Sequence, residues 1–444
     1  MRAILLACLF ACLPHAASAD VVIRDVTVLQ PSTGQTLPHR TVTIRGDRIT
    51  AVDPADDTPP GPGDIDGRGK FLMPGLWDVH VHLSDMGRAT LPVLIASGVT
   101  SVRDMGGDIA ELTAWRNAVE AGVQVGPRVK LCGPMLEAPG DQSVARGVRD
   151  HLAVDGPEEA RRIVADIAAR GADCVKMRSV RDLATYEALG QAAEQAGLPL
   201  TGHPPYAFDP VEFGRVRQQT FEHMFYPYPF RTLPEDRQAA IVASMLDRGI
   251  RVAPSIIAWA PSMRSQAALK AEFEVMTGDV AAARFVSPRL HENWRELTEQ
   301  SRGTSGWART IVIAAGDARR MYDAGVPLLV GTDTGAPFVS PATAVHEELE
   351  LMVSMMGLTP AEALRAATWV PAGLFDQQDE LGSIDVGKRA DLILLDDNPF
   401  AAISHIRLID TVIARGIVHD APARTELRRQ AVETLGAEWR AATP

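Results

Sequence analysis

The stretch Phe71-Leu72-Met73-Pro74-Gly75-Leu76-Trp77-Asp78-Val79-His80-Val81-His82-Leu83 limits what this chain can fold into. It reads as an apolar strand that ends in two histidines one residue apart. Alternate side chains of a strand point the same way, so His80 and His82 share a face. Two imidazoles on one face at the carboxyl end of a buried strand can grip one metal ion. Taken alone, the stretch favours that reading over a strand end that holds two polar residues for no chemical purpose.

The residues that follow decide what surrounds that strand. From about Met73 to Pro371 strands and helices alternate, which calls for a parallel sheet. The expected strands are Gly75–His82, Val99–Arg103, Arg128–Gly133, Asp173–Met177, Leu198–His203, Gln219–His223, Ile250–Pro254 and Val326–Asp333, with helices such as Pro157–Arg170 and Leu183–Ala196 between them. Eight strand–helix units of this length fit an α/β fold, a (β/α)8 TIM barrel over residues 73–371. A doubly wound open sheet fits less well, because no Gly-rich phosphate loop follows the first strand. Residues 255–321 are too long for an ordinary connection and look helical. A lid, a dimer contact and plain packing all remain open for them. Residues 20–72 and 372–425 carry short strands punctuated by turn residues, which suggests one small β-sandwich domain assembled from both termini. Residues 426–444 make a helical tail.

The first residues read differently. Arg2 precedes an apolar run from Ala3 to Leu13, and Ala17-Ser18-Ala19 offers a small-residue cleavage site, so residues 1–19 are expected to be a signal peptide. The protein is therefore expected to be exported, periplasmic or secreted. Cys8 and Cys12 lie inside that segment, behind residues too large for a lipoprotein site. No later stretch supplies the roughly twenty apolar residues of a membrane span. Removing Arg2, the only charge in residues 1–19, takes the formal charge from −12 to −13. Nucleic acid and anionic membrane surfaces are poor partners for such a chain, whereas a small molecule and self-association are compatible with it. Of the four cysteines, Cys132 and Cys174 would remain after cleavage. They are expected to be buried free thiols, because a large barrel core hardly needs a covalent staple.

In a barrel of this kind the carboxyl ends of the strands face the active-site mouth. Titratable residues gather there: His80 and His82 on the first strand, Lys176 on the fourth, His203 on the fifth, His223 on the sixth and Asp333 on the eighth. Each has an ordinary alternative, a hydrogen-bonded core histidine or a turn-starting aspartate. Together they are harder to dismiss. Lys176 is the telling member, since a protonated amine repels a metal and offers no lone pair. A salt bridge to Asp333 or Asp173 and a Schiff-base role are both open to it.

Pro74-Gly75-Leu76-Trp77-Asp78-Val79-His80-Val81-His82, Cys174-Val175-Lys176, Gly202-His203, Glu222-His223 and Gly331-Thr332-Asp333-Thr334-Gly335 together resemble the amidohydrolase superfamily, most nearly its imidazolonepropionase-related, prolidase-like branch. The resemblance extends through Leu358–Leu364 and Gly382–Leu392. It implies two divalent metal ions, zinc being the expected element. His80, His82 and Asp333 would hold one, and His203 and His223 the other. Lys176, carboxylated on its amine, would bridge them. That modification turns a cation into an anionic oxygen ligand, and its presence favours a two-metal hydrolase over a deaminase.

A hydroxide shared by two such ions would attack a carbonyl carbon, with Asp333 carrying the proton to the departing nitrogen. Tyr226 and Tyr228 are candidates for the oxyanion or the pocket wall. Arg178, two residues beyond Lys176, is a candidate for a substrate carboxylate or for an internal salt bridge. Relatives often carry Gly-Gly-His after the third strand, where this chain has Cys132–Gln142 without a histidine; His151 is the nearest substitute, expected near the next helix. His39, His291, His346, His405 and His419 read as structural. The expected activity is cleavage of an amide bond in dipeptides or N-acyl amino acids. Hydrolysis of a cyclic amide, lactone or ester, deamination on the same centre, and a non-catalytic binding protein are the alternatives. The last would be marked by lost ligands, and all six are present.

Overall fold

Strands from both ends of the chain pair with one another in a single sheet. The computed structural model describes residues 20–141, 150–205, 207–223, 230–300 and 307–442; the expected signal peptide, Tyr226 and Tyr228 lie outside them. Strands β1 (Val21–Gln30), β2 (Gln35–Arg45), β3 (Arg48–Pro54), β4 (Ile65–Asp66) and β5 (Phe71–Pro74) come from the amino-terminal part. They join three late strands in one eight-stranded sheet, in which the segment Leu392–Leu395 runs antiparallel to β5. Alternation explains the pairing: Ile23, Val28, Val42, Ile44, Leu72, Leu392 and Leu394 form one buried apolar face. The terminal strands thus share a single sheet.

The central part is parallel throughout. β6 (Leu76–Val81), β7 (Val99–Asp104) and β8 (Arg128–Leu131) form a three-stranded sheet. β9 (Met135–Glu137), β10 (His151–Ala153), β11 (Val175–Met177), β12 (Leu200–Gly202), β13 (Gln218–Glu222) and β14 (Arg251–Ala253) form a six-stranded one in the order β10-β9-β11-β12-β13-β14. Burial on both faces, as in every residue of β6 and β7, is the mark of parallel strands covered by helices. Seven of the eight expected strands appear. The eighth, around Val326–Asp333, is a bonded segment instead: Leu329 N–H donates to Val252 O at 2.8 Å, Val79 N–H to Val330 O at 3.0 Å and Asp333 N–H to His80 O at 2.8 Å. It therefore runs between β14 and β6. On the other side Asp173 N–H donates to Leu131 O at 2.7 Å, joining β8 to the residues before β11. The short strands β9 and β10 were unexpected, and His151 lies in β10 rather than beside a helix.

The last strands, β15 (Leu392–Leu395), β16 (Ile409–Ala414) and β17 (Ile417–His419), lead into a helix over Ala421–Ala442. That helix starts inside the stretch assigned to the β domain. It supports the long insertion: Trp439 donates its indole N–H to Val286 O at 2.9 Å, and Leu435 and Trp439 pack with Met276, Val286, Leu290 and Trp294. Among the described residues, no helix is long and apolar enough to cross a membrane.

One expectation fails outright. Cys132 and Cys174 are joined as a disulfide, with Cα atoms 4.3 Å apart. The two residues flank adjacent strands, β8 and β11, and neighbouring parallel strands bring such positions within bonding reach whether or not the core needs the link.

Candidate metal centre

Five of the singled-out side chains meet at the strand ends. His80 and His82 leave β6 on the same face, as the period of two requires. The N–H of His80 and that of Thr332 both donate to Asp78 Oδ1, at 3.2 and 3.0 Å, and Thr332 Oγ1 donates to Asp78 Oδ2 at 2.6 Å. Asp78 thereby clamps the strand of the histidines to the segment of Asp333. The glycines of Gly331-Thr332-Asp333-Thr334-Gly335 serve the same approach: a Cβ on Gly331 would stand 2.8 Å from the Cβ of His80, and one on Gly335 2.9 Å from the Cβ of His82. Larger residues at either place would push Asp333 away from the histidines.

The geometry is that of a ligand set. Asp333 Oδ1 lies 3.0 Å from His82 Nε2 and 3.3 Å from His80 Nε2, and its other oxygen lies 3.6 Å from His223 Nε2. Candidate ligand atoms of His80, His82 and Asp333 all fall within 4.8 Å of one another. The ring centroids of His80 and His223 are 4.7 Å apart, and those of His203 and His223 are 5.2 Å apart. Both His223 and Asp333 have left-handed backbone, with φ of 55° and 56°. Residues with side chains adopt that conformation at a cost of about 1–2 kcal/mol, and such strain concentrates where function holds it.

Lys176 completes the group as a buried amine. It is 1% exposed, and Nζ has no hydrogen-bond partner among the described residues. Burial pulls its pKa down to about 8, against the opposing pull of Glu222 and Asp333. In the metal-free site, burial also holds His80 and His203 well below the usual imidazole range. For His82 burial acts downward too, but the hydrogen bond and charge of Asp333 prevail and raise it to about 8. Asp333 is held far below the ordinary carboxylate range: burial opposes its charge, and His80, His223 and His82 more than offset that. Four imidazoles and a carboxylate suit divalent cations, whereas the amine of Lys176 does so only without its positive charge.

Arg178 is already engaged. It forms an ion pair with Glu137 of β9, whose side chain is fully buried and whose Oε1 also lies 3.0 Å from His151 Nδ1. Burial would raise the Glu137 pKa, but His151 and Arg178 hold it down. Of the two options open to Arg178, the internal salt bridge is present, while a 40% exposed side chain still faces solvent.

Several neighbours escaped the sequence reading. Arg103 and Glu222, at the ends of buried strands, are 1% and 0% exposed, and Trp259 stands edge-on to His223 with centroids 6.1 Å apart. Arg103 and Glu222 carried a signal that went unused: ionisable residues at the carboxyl ends of expected parallel strands. Nothing local marks Trp259, which arrives from the insertion.

Residues 308–418 match the amidohydrolase family model. An imidazolonepropionase from Geobacillus sp. (strain WCH70) is 39% identical over 116 residues, 26% of this chain and 27% of that protein, so the chain spans little more than a quarter of its length there. An imidazolonepropionase from Rubrobacter xylanophilus is 28% identical over 380 residues, covering 80% of this chain and 84% of the relative. A crystal structure from Bifidobacterium longum, described as that of a putative prolidase, superposes with a TM-score of 0.69 at 26% identity over 93% of this chain and 98% of that one.

Proposed function

From the match of residues 308–418 to the amidohydrolase family model, we propose that this chain is a two-metal hydrolase of amide bonds acting on dipeptides or N-acyl amino acids. The observation that carries the proposal is the convergence of His80, His82 and Asp333 with His203, His223 and an unpartnered buried Lys176. The likeness to a prolidase structure supports the substrate class. The scaffold in this proposal is a (β/α)8 barrel flanked by a small β-sandwich, and the protein is exported by residues 1–19.

His80, His82 and Asp333 would hold one divalent ion, with zinc expected, His203 and His223 the other, and Lys176, once carboxylated, would serve both. When bound, such ions supply Lewis acidity toward a carbonyl and a water acidic enough to ionise near neutral pH. The remaining work falls to the chain. Lys176, with its pKa drawn down to about 8 by burial, has a substantial neutral fraction near that pH. Its nitrogen lone pair adds to the carbon of CO2, one proton leaves to water, and the product is an anionic carbamate. Asp333, kept ionised by its histidines, accepts the proton of the attacking water and delivers it to the leaving nitrogen. Burial of the site keeps bulk water from competing for those protons.

The near full-length likeness to an imidazolonepropionase favours a second reading, a cyclic amide as substrate. One experiment separates the two. Purified protein is analysed for metal and, undenatured after equilibration with 13C-bicarbonate, for the carbamate carbon of Lys176 by 13C NMR, then assayed against dipeptides and N-acyl amino acids beside lactams and lactones. Two ions per chain, one added CO2 and turnover confined to acyclic amides bearing a free carboxylate are expected. Well below two ions with Lys176 unmodified would overturn the two-metal reading, and turnover confined to cyclic substrates would overturn the substrate class.

A further inference from the structure

A buried ion pair lies beneath the site and takes no part in the chemistry above. Arg103, on β7, donates from Nε to Val79 O at 2.6 Å, from Nη1 to Thr201 Oγ1 at 2.9 Å and Thr220 Oγ1 at 3.1 Å, and from Nη2 to Glu222 Oε1 at 2.6 Å. Thr220 Oγ1 is a further 2.5 Å neighbour of the same carboxylate oxygen. The other oxygen, Oε2, lies 3.0 Å from His80 Nδ1. One guanidinium thus touches β6, β12 and β13 from β7, and reaches His80 twice: through the carbonyl just before it and through Glu222.

Taking an arginine and a glutamate out of water is expensive, and packed apolar residues would stabilise the fold as well or better. The pair therefore calls for a reason beyond stability, and His80 supplies one. Its ring stands between two carboxylates, with Glu222 at Nδ1 and Asp333 Oδ1 at 3.3 Å from Nε2. A neutral imidazole carries one ring proton. If that proton sits on Nε2, the nitrogen facing Asp333 has no lone pair for a metal. If it sits on Nδ1, Nε2 is free.

We propose that Arg103 and Glu222 are positioning residues that hold the proton of His80 on Nδ1 and so keep Nε2 available as a metal ligand. An ionised carboxylate only accepts, so a ring nitrogen hydrogen-bonded to one must donate; Glu222 Oε2 is hydrogen-bonded to His80 Nδ1 at 3.0 Å, whereas the hydrogen bond of Asp333 Oδ1 goes to His82 Nε2 at 3.0 Å. Arg103 keeps Glu222 in that role: its fork and the two threonine hydroxyls occupy Oε1, leaving Oε2 for the ring. Outer partners of this kind commonly matter about 10–100-fold in metal affinity. The inference rests on His80 being a metal ligand, but not on the reaction or its substrate.

The test is on metal-free protein. Ring-nitrogen NMR with 15N-labelled histidine, assigned by comparison with His80→Ala, should place the His80 proton on Nδ1. In Glu222→Gln the amide can satisfy Arg103 with its oxygen and must then turn its NH2 toward His80, which should move the proton to Nε2. Zinc affinity, read by competition with a chromophoric chelator, should fall by about 10–100-fold. Arg103→Lys keeps the charge but loses the fork, and should give a mixed tautomer with a smaller loss. An Nε2–H tautomer in the unsubstituted protein overturns the proposal even if no variant folds. An unchanged tautomer and zinc affinity in folded Glu222→Gln overturn it as well, leaving the pair a structural strut. A protein inactive toward every amide would sink the proposed function and leave these readouts intact.

Discussion

Trp294 donates its indole N–H to the carbonyl oxygen of Gly335 at 3.2 Å. The residue comes from the long insertion, and the carbonyl from the turn that presents Asp333. Phe338, in the same loop, packs on Trp294 with centroids 5.2 Å apart, and Ser287 Oγ donates to Asp85 O, three residues past His82, at 2.8 Å. Of the roles open to residues 255–321, packing against the metal-site loops is the one these contacts describe.

That contact separates two effects of one residue. Trp294→Phe keeps most of the bulk and loses the hydrogen bond, a change worth about 1 kcal/mol. Trp294→Ala opens a hole in a buried cluster and should lose about 3–5 kcal/mol. Denaturant unfolding of both variants measures this, and equal losses would mean that Trp294 contributes no packing of its own.

Metal uptake should depend on pH through His82. Its pKa in the metal-free fold is raised to about 8, above the unfolded value of about 6.5. The ion pair with Asp333 therefore stabilises the metal-free protein fully below about pH 6.5 and fades as pH rises through about 8. A protonated ring cannot bind, so zinc must displace that proton. Affinity should climb by about tenfold per pH unit up to that pKa and then level. Calorimetry in buffers of different ionisation enthalpy would report close to one proton released at pH 7, and none released would contradict the assignment.

Arg178 pairs with Glu137 and keeps a side chain 40% exposed. If it also holds a substrate carboxylate, Arg178→Met should raise KM for N-acyl amino acids by at least about tenfold, the loss of one charge-assisted contact. The same substrates capped as amides should barely change. Equal effects on both series would confine Arg178 to its ion pair with Glu137.

The disulfide closes a separation of 42 residues between Cys132 and Cys174. A loop of that length constrains the unfolded chain by about 4 kcal/mol in the entropic account. The double substitution to serine should cost stability of that order, and non-reducing peptide mapping should recover the two cysteines in one cross-linked fragment. Two alkylatable thiols in protein unfolded without reductant would show that the bond is not formed.

The strand ends were legible because their signals are local. The period of two puts His80 and His82 on one face, the turn motif Gly331–Gly335 marks Asp333, and apolar runs broken by Gly and Pro locate seven parallel strands. Charge placement was legible only in part: Lys176 stood out as a cation among candidate metal ligands, whereas Arg103 and Glu222, charged residues at the ends of buried strands, passed unnoticed.

By itself the sequence determined where imidazole and carboxylate side chains fall along the strands and on which face of each strand they stand, since covalent geometry sets both within a few residues. Tertiary structure alone decided which of them share a partner. That Glu222 divides its oxygens between Arg103 and His80, that Arg178 is drawn to Glu137, and that Trp294 reaches Gly335 are contacts between positions from 41 to 142 residues apart in the chain. Such contacts depend on how the strands are laid beside one another, and no local periodicity records that.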